Sequence, residues 1–402
     1  MQKPDTGKFI ILADVPPQIE KSALALYAQS GIGVYVLTED YVNYEKDPEE
    51  FERALCLLDE SGLDVFVRGL GYDIFPRYFD KFKNFDFHTH PSVKGFYLID
   101  EPGAERFGGI AAEYVKFFNE KYSDMFWHIN LLPSYATDEQ LGIGAGNGRS
   151  AFENYVQEYA AQVLRKVNGK KDIGFDHYPL YVKSGKYSVS GTWLTDLAVM
   201  AEAAKANGAR LSACIQAFTG RADGWSPPEG WRMPSQNGIL WQFYVSMAFG
   251  ASVFEIFLYR DAPDFELANG MVSVEGYPGP TYFYVRDAIA EIKLIEQEIM
   301  SFTWNGVIAV PGKKGGGEAV RRFAGRTPVA GEQIFEADYD AIAGVFERGG
   351  DKALLIVNYT DPIEQKINGV TLSDGSRLYL KPGGAEWVVL PGKKERSSYD
   401  KE

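Results

Sequence analysis

Eight short apolar runs alternate with helix-like segments along about the first 300 residues, and this alternation constrains the fold more than any other feature. Strands typically take this form, rich in β-branched and aromatic residues and ending in Gly, Pro or polar residues. The runs are KFIILADVP, GVYVLTED, LDVFVRGLG, GFYLIDEP, MFWHINLLP, IGFDHYPL, RLSACIQAF and ASVFEIFLYR. They are almost continuously apolar, which indicates strands covered on both faces. Eight strand–helix units predict a (β/α)8 TIM barrel in the α/β class.

A doubly wound open sheet is the competing fold. It is less favoured because ADVPPQ, rather than a glycine-rich phosphate turn, follows the first run. Several helix-like segments stop at a glycine, where a left-handed C-cap would turn the chain into the next strand. These glycines are Gly31, Gly62, Gly169, Gly208 and Gly250.

The pattern changes after Met300, where helical periodicity gives way to short runs with NG, GG, DG and PGG turns. The runs are WNGVIAVPG, EAVRRFAG, AGVFERGG, KALLIVNYTD, EQKINGVTL, SRLYLKPGG and EWVVLPG. We read them as strands of a C-terminal β-sandwich. The predicted domains are therefore a barrel over residues 1–300 and a sandwich over residues 301–402.

Composition narrows the class of partner. The chain carries 41 Lys and Arg against 55 Asp and Glu, a net charge of −14, which argues against binding to nucleic acid. It contains no apolar run of the roughly 20 residues that a membrane helix needs, so we expect a soluble protein without membrane insertion. Aromatic residues make up 14% of the chain, which suits either a sugar-stacking cleft or an aromatic-rich core.

The compartment and the oligomeric state stay open. MQKPDTGKFI has no signal-peptide pattern, which fits a cytoplasmic protein, or a secreted or periplasmic one whose signal has been removed. The two cysteines, Cys56 and Cys214, lie in apolar sequence surroundings that predict buried thiols rather than a disulfide.

Polar side chains stand at the ends of almost all the predicted strands. In a barrel these ends form one mouth, where catalytic groups lie. The candidates are Asp14, Glu39, Asp40, Asp100, Glu101, Asn130, Asp176, His177, Tyr178, Gln216, Tyr259, Arg260 and Asp261, with Glu255 deeper in strand eight. An acidic mouth lined with amides, Tyr and His suits a neutral polyhydroxylated ligand, and Lys and Arg do not converge as in a phosphate site. We therefore expect a carbohydrate substrate, with Asn130, His177, Tyr178, Gln216 and Tyr259 among the binding residues.

The motif GFYLIDEPG, which ends strand four, is the sharpest in the chain. A carboxyl group at the end of a buried strand, beside a second carboxylate, should have a raised pKa and could serve as a general acid. The motif and the layout resemble the clan A glycoside hydrolases, (β/α)8 barrels with Asn-Glu-Pro or Asp-Glu-Pro at the end of strand four and often a terminal β-sandwich. The resemblance implies that Glu101 is the acid/base. The simpler alternative is that the acidic pair caps the following helix.

The resemblance fails at strand seven. Clan A enzymes place a nucleophilic Glu there, whereas this chain has Gln216. Three other carboxylates could complete the site. Asp176 could be the second carboxylate, as base or nucleophile according to its separation from Glu101. Asp100 could orient an acetamido group in a substrate-assisted mechanism similar to that of hexosaminidases, with Glu101 as acid. Glu255 could point up the barrel, or could instead be a structural partner of Arg68 or Arg260.

Tryptophan and histidine residues give weaker indications of a binding site or a metal site. Trp225 and Trp231 lie in the long loop TGRADGWSPPEGWRMPSQ, as sugar-stacking platforms or as packing anchors, whereas Trp241 fits the core. FHTHP, with His88 and His90, is similar to an amidohydrolase metal pair, but it precedes strand four and so lies at the wrong end of the barrel. No metal and no cofactor are predicted.

Taken together, these features predict a glycoside hydrolase with Glu101 as general acid and Asp176 or Asp100 as the second carboxylate. Gln216 supports a rival hypothesis, a carbohydrate-binding protein that has lost its activity. A third hypothesis is a different barrel hydrolase or lyase that uses Asp176 with His177 as an acid/base pair, which would show a titration near the ordinary histidine pKa.

Overall fold

The computed structural model describes residues 7–38, 48–68, 85–221, 229–315, 317–324 and 335–390. Eight parallel strands form a closed barrel in the order β1–β8–β7–β6–β5–β4–β3–β2. Their bounds are β1 Ile10–Ala13, β2 Val34–Leu37, β3 Asp64–Arg68, β4 Val93–Asp100, β5 Phe126–Leu131, β6 Lys170–Phe175, β7 Arg210–Gln216 and β8 Ala251–Phe257. Six of the eight strands lie entirely within their predicted runs, and β4 and β6 begin two and three residues before theirs, so the predicted TIM barrel is confirmed.

Helices alternate with these strands. Their bounds are α1 Lys21–Gln29, α2 Pro48–Ser61, α3 in three consecutive stretches (Phe107–Ile110, the π-helical Ala111–Val115 and Lys116–Lys121), α4 Asp138–Leu141, α5 Ala151–Gln162, α6 Trp193–Ala206, α7 Gln236–Ala248, α8 Pro280–Lys293 and α9 Glu296–Met300. The five predicted C-cap glycines all have positive φ, from 59° at Gly208 to 89° at Gly31. The short helix predicted in FPRYFDKFK lies outside the described residues.

An insertion between β6 and α6 forms one wall of the barrel mouth. The antiparallel strands Leu180–Lys183 and Lys186–Val189 form a hairpin, and Gly230–Trp231 adds a third strand to it. Since Gly230–Trp231 belongs to the loop after β7, this small sheet joins two neighbouring loops above the mouth. The sequence analysis did not anticipate it.

The C-terminal residues form two antiparallel sheets. One has the order β9–β11–β12–β15 and the other β10–β13–β14. The bounds are β9 Thr303–Val310, β10 Phe335–Ala337, β11 Ala341–Arg348, β12 Asp351–Asn358, β13 Asn368–Leu372, β14 Arg377–Leu380 and β15 Ala385–Leu390. This arrangement confirms a C-terminal β-sandwich.

One predicted strand of the sandwich is wrong. EAVRRFAG forms a helix, α10 Glu318–Ala324. Val320 and Phe323, three residues apart, are both buried on one face, and Glu318 pairs with Arg322 one turn away. That spacing follows the helical period rather than the alternation of a strand.

The sandwich packs tightly against the barrel. In β12, Leu354 and Ile356 face the second sheet, whereas Leu355 and Val357 join the barrel core. The fully buried Trp241 of α7 donates from Nε1 to the Asn358 carbonyl at 3.2 Å, which confirms its predicted core position. None of the helices in the described residues has both the length and the apolar character needed to cross a lipid bilayer.

Candidate active site

Two connected cavities open at the carboxyl ends of the barrel strands. The outer cavity, of about 720 Å³, lies between the loop after β5 and the hairpin sheet. The inner cavity, of about 430 Å³, descends towards the barrel axis. Glu101, Asp176, Tyr178 and Trp231 line both. Glu101, the predicted general acid, and Asp176, one of the two predicted second carboxylates, therefore both lie where the cavities join.

Asp100 is bound on both carboxylate oxygens. Arg68 Nη2 donates to Oδ2 at 2.7 Å, and Tyr97 Oη and Asn130 Nδ2 donate to Oδ1 at 3.1 and 2.9 Å. Arg68 also reaches Asp14 Oδ1 at 2.5 Å through Nη1. Burial alone would lower the pKa of Arg68, but Asp14, Tyr97 and Asp100 raise it well above its ordinary value. Arg68 is therefore a fixed cation that bridges two carboxylates.

Glu101 leaves strand four with an unusual backbone. Its φ is 44°, a left-handed conformation that is uncommon for a residue other than glycine. Its N–H donates to the Asn130 carbonyl at 2.9 Å, and Tyr155 Oη donates to the carbonyl of Pro102 at 2.6 Å. These two hydrogen bonds stabilise the turn after strand four, in which the backbone changes direction between Asp100 and Glu101. Backbone strain of this kind is concentrated at functional sites.

Asp176, which directly follows β6, is hydrogen-bonded to the Glu101 side chain. Burial is the largest cause that raises the pKa of Asp176 well above its ordinary value, followed by the charge of Glu101 and this hydrogen bond. A hydrogen bond between two carboxyl groups requires a proton on one of them. Two adjacent carboxyl groups in a buried site disfavour double ionisation, so we expect the two groups to titrate as a pair.

Deeper in the barrel than Glu101 and Asp176, three buried ionisable side chains contact one another: Asp172, His128 and Glu255. His128 Nδ1 is 2.7 Å from Asp172 Oδ2, and Nε2 is 3.6 Å from Glu255 Oε2. Burial would lower the pKa of His128, but Asp172 and Glu255 raise it to about 10. Burial raises the pKa of Glu255, and His128 opposes that shift. Glu255 lines the inner cavity together with Glu101, so the deep carboxylate of strand eight is open to the site.

His177 is a poor candidate for proton transfer. It lines the outer cavity, but Asp196 Oδ2 lies 2.7 Å from its Nδ1 and Ser190 Oγ lies 2.7 Å from its Nε2. Both ring nitrogens thus have partners within the protein. An acid/base pair of Asp176 with His177 does not fit this arrangement.

Gln216 does not reach either cavity. It is fully buried, its Oε1 accepts from the Leu180 N–H at 2.9 Å, and its Nε2 donates to the carbonyls of Leu180 and Arg232, also at 2.9 Å. The side chain fastens the β6 insertion to the loop after β7. The structure thus contradicts the expectation that Gln216 contacts the substrate, because its polar atoms are bonded to the backbone.

The other predicted binding residues divide into two groups. Asn130 lines the inner cavity, and Tyr178 and Trp231, with ring centroids 5.6 Å apart, line both cavities. Tyr259 instead packs against Tyr27, with ring centroids 4.8 Å apart, and lines neither of these two cavities, so this position does not support its predicted contact with substrate. Trp225, like Glu39 and Asp40, lies outside the described residues.

Sequence reasoning missed part of the outer wall. Tyr135, Tyr181, Lys183 and Glu229 line the outer cavity, and Tyr135 Oη donates to the Asp176 carbonyl at 3.0 Å. Tyr135 follows strand five in NLLPSYA, where the rule that loops after strands form the mouth could have identified it. Tyr181 and Lys183 could not be identified in this way, because the hairpin strands that carry them are not among the eight predicted barrel strands.

Comparisons with known proteins give the following relatives. No protein-family model and no curated protein sequence matches the chain. Similar solved structures include a β-galactosidase from the psychrophilic Marinomonas ef1 (13% identity, TM-score 0.45, 74% of this chain and 62% of that chain). A putative α-L-fucosidase from Bacteroides thetaiotaomicron is similar at 11% identity and TM-score 0.46 over 72% of this chain and 96% of that one. A family 1 β-glucosidase from Thermotoga maritima is similar at 13% identity and TM-score 0.42 over 66% and 85%. The chain thus spans under two thirds of the β-galactosidase.

Proposed function

We propose that this protein is a glycoside hydrolase in which Glu101 donates the proton to the leaving-group oxygen of an O-glycosidic bond. The observation that carries the proposal is that the neighbouring carboxyl groups of Glu101 and Asp176 both line the two cavities. Leaving-group oxygens of sugars need a proton as the bond breaks, and a carboxyl group that remains protonated near neutral pH can supply it.

Asp176 fits the role of proton-sharing partner better than that of opposing carboxylate. Acid and base or nucleophile are about 5–5.5 Å apart in retaining enzymes and about 6.5–9.5 Å apart in inverting enzymes. Asp176 is within hydrogen-bond reach of Glu101, which is closer than either geometry. Its contribution is to keep a proton on the pair, because two adjacent carboxylates in a buried site disfavour double ionisation.

Asp100 does not fit substrate-assisted catalysis. An orienting carboxylate must offer an oxygen to the acetamido group of the sugar, but both Asp100 oxygens already accept from Arg68, Tyr97 or Asn130. Its position supports a different role, in which it anchors Arg68 and fixes the end of strand four from which Glu101 projects.

Glu255 is the carboxylate best placed to face Glu101. In the barrel order, β8 lies four strands from β4 in either direction, so the two strands are opposite one another. Both side chains line the inner cavity, and His128 supplies a positive partner behind Glu255. In the proposed reaction Glu101 protonates the departing oxygen while Glu255 acts on the anomeric carbon, directly or through water. The products together gain one water molecule.

The lining of the site suits a neutral sugar. Tyr135, Tyr178, Tyr181 and Trp231 present aromatic groups to the outer cavity, and aromatic faces stack on the apolar faces of sugar rings. Tyr178 and Trp231 are fixed by edge-to-face contacts, 5.6 Å between their centroids, so this part of the wall is preorganised.

A panel of aryl glycosides that includes N-acetylhexosaminides tests the proposal. On substrates with poor leaving groups, Glu101→Gln should lower kcat about 10²–10⁴-fold. On dinitrophenyl glycosides, which need no acid, it should lower kcat far less. Glu255→Ala should lose activity on both kinds, and azide should restore part of it. Glu113→Gln, an exposed carboxylate on α3, is the matched control and should behave as wild type.

Two results would overturn the proposal. Equal losses in Glu101→Gln on good and poor leaving groups would remove Glu101 as the acid. Absence of hydrolysis of both aryl glycosides and polysaccharides, combined with calorimetric binding of sugars, would identify a carbohydrate-binding protein instead.

A further inference from the structure

A second cluster of reactive side chains lies at the opposite end of the barrel from the cavities. Glu52 and Cys56 stand four residues apart on α2 and thus share one helix face. His90 lies in the turn that precedes β4, at the amino-terminal end of the strands. One ligand atom from each residue lies within 4.8 Å of the other two.

His90 is held against this helix face by a third α2 residue, Asp59, which follows Cys56 by three positions. Its Nδ1 is 2.8 Å from Asp59 Oδ2, while Asp59 Oδ1 accepts from Ser92 N–H and Oγ at 2.9 and 2.6 Å. Histidines that bind metals are usually held in this way, because the carboxylate fixes the ring and leaves Nε2 to donate its lone pair. The side chain is 4% exposed, so its orientation is set by packing.

The Nε2 atom of His90 is the feature that points to a ligand. It is buried and has no hydrogen-bond partner within the described residues, although Glu52 Oε1 lies 3.3 Å away. Two ligand atoms each about 2.1 Å from a tetrahedral ion are about 3.4 Å apart. The spacing of Nε2 and Oε1 therefore matches one edge of a coordination tetrahedron better than it matches a hydrogen bond.

Cys56 supplies the third corner. Its side chain is exposed, contrary to the sequence prediction of a buried thiol, because it lies on the outer face of α2. An exposed thiol one helical turn from Glu52 can rotate to bring Sγ to the same point.

We propose that Glu52, Cys56 and His90 bind one zinc ion or a similar divalent transition metal. A set of one nitrogen, one sulfur and one carboxylate oxygen favours zinc over magnesium or calcium, which prefer oxygen ligands throughout. Water would fill the fourth position. The ion would link α2 to the turn before β4 and would stabilise the base of the barrel, far from the proposed catalytic groups.

Cobalt(II), a spectroscopic substitute for zinc, tests the proposal with the full chain after treatment with a chelator. Wild type should bind one equivalent, with the visible bands of tetrahedral cobalt and a thiolate-to-cobalt charge-transfer band that zinc abolishes. Cys56→Ser should lose the charge-transfer band and weaken binding at least about tenfold. Zinc should raise the Tm of wild type by several degrees and that of Cys56→Ser by clearly less at the same zinc concentration.

The controls use neighbouring residues of the same types. His88→Asn changes a half-exposed histidine that contacts Asp86 and Asp124 and should bind cobalt as wild type does. Cys214→Ser removes the other thiol, and its charge-transfer band should persist. A band that survives in Cys56→Ser would place the metal elsewhere, and the lack of any band in wild type would show that His90 and Glu52 form an ion pair only. Either result would overturn the proposal.

Discussion

Leu354 and Ile356 fill the space between the two sheets of the sandwich with apolar atoms, whereas the barrel interior holds His128, Asp172 and Glu255 in contact. The side chains in both places are buried, but burial changes the free energy of folding in opposite directions. Apolar side chains gain free energy when they leave water, and charged side chains lose it unless partners compensate. The sandwich is therefore built for stability, and the barrel retains costly groups where the proposed chemistry needs them.

The largest loss of stability should follow the removal of Arg68, which tests this contrast between the barrel and the sandwich. Arg68→Met leaves the half-buried carboxylates of Asp14 and Asp100 without their cation, and we expect a loss at the lower end of the about 3–5 kcal/mol that breaking a fully buried ion pair costs. Urea denaturation would measure the loss. Leu354→Ala, a cavity mutation in the sandwich, should cost about 2–5 kcal/mol. Its cost should stay the same when Asp100→Asn is added, whereas adding Asp100→Asn to Arg68→Met should recover part of the loss, because it removes one carboxylate that lacks its cation. A double variant without any recovery would contradict the contrast.

A second effect should appear in the pH dependence of stability. The pKa of His128 is about 10 in the folded chain, against 6.5 for an ordinary histidine. The stabilisation by this charge is complete below about pH 6.5 and is lost as the pH rises through about 10. Wild type should therefore lose about 4 kcal/mol between neutral and strongly alkaline pH. His128→Gln should flatten this slope in thermal unfolding scans, and an unchanged slope would assign it to other groups.

The smallest effect should come from Asp176→Asn. Because the pKa of Asp176 is raised in the folded state, its burial costs stability once the pH exceeds the ordinary carboxyl value. An uncharged amide removes that cost, and we expect a gain of about 1 kcal/mol at neutral pH and none in acid. In the proposed hydrolase the same variant should move the alkaline limb of the pH–rate profile to lower pH. A destabilised Asp176→Asn at neutral pH would show that the pair does not strain the fold.

The barrel could be predicted because the sequence pattern that indicates it is local and occurs eight times. Each strand carries its own apolar run and each helix its own period, so errors in one unit do not spread to the next. The mouth residues Asp100, Glu101, Asn130 and Asp176 followed from the same rule, since they directly end or follow strands. The strand predicted in EAVRRFAG was wrong because a segment of eight residues can form a short helix as well as a strand.

The parts that could not be predicted depend on contacts distant in sequence. The hairpin after β6 folds over the end of β7 and covers Gln216, and nothing within the IQAF segment indicates this. Cys56 has apolar neighbours in the chain, but the rotation of α2 decides which of them face the barrel. The pairing of Glu101 with Asp176 joins residues 75 positions apart, and the barrel alone brings them together.

The hydrogen bonds of Gln216 to the two loops also limit where a second catalytic carboxylate can be placed in this chain. A glutamate at that position would lose the two N–H groups that now reach the carbonyls of Leu180 and Arg232, and its oxygens would face those carbonyl oxygens at close range. Introducing a carboxylate on strand seven by this one substitution would therefore weaken the attachment of two loops to the barrel. A chain with these loops can carry a second carboxylate at the mouth only on another strand, unless the loops are rebuilt as well.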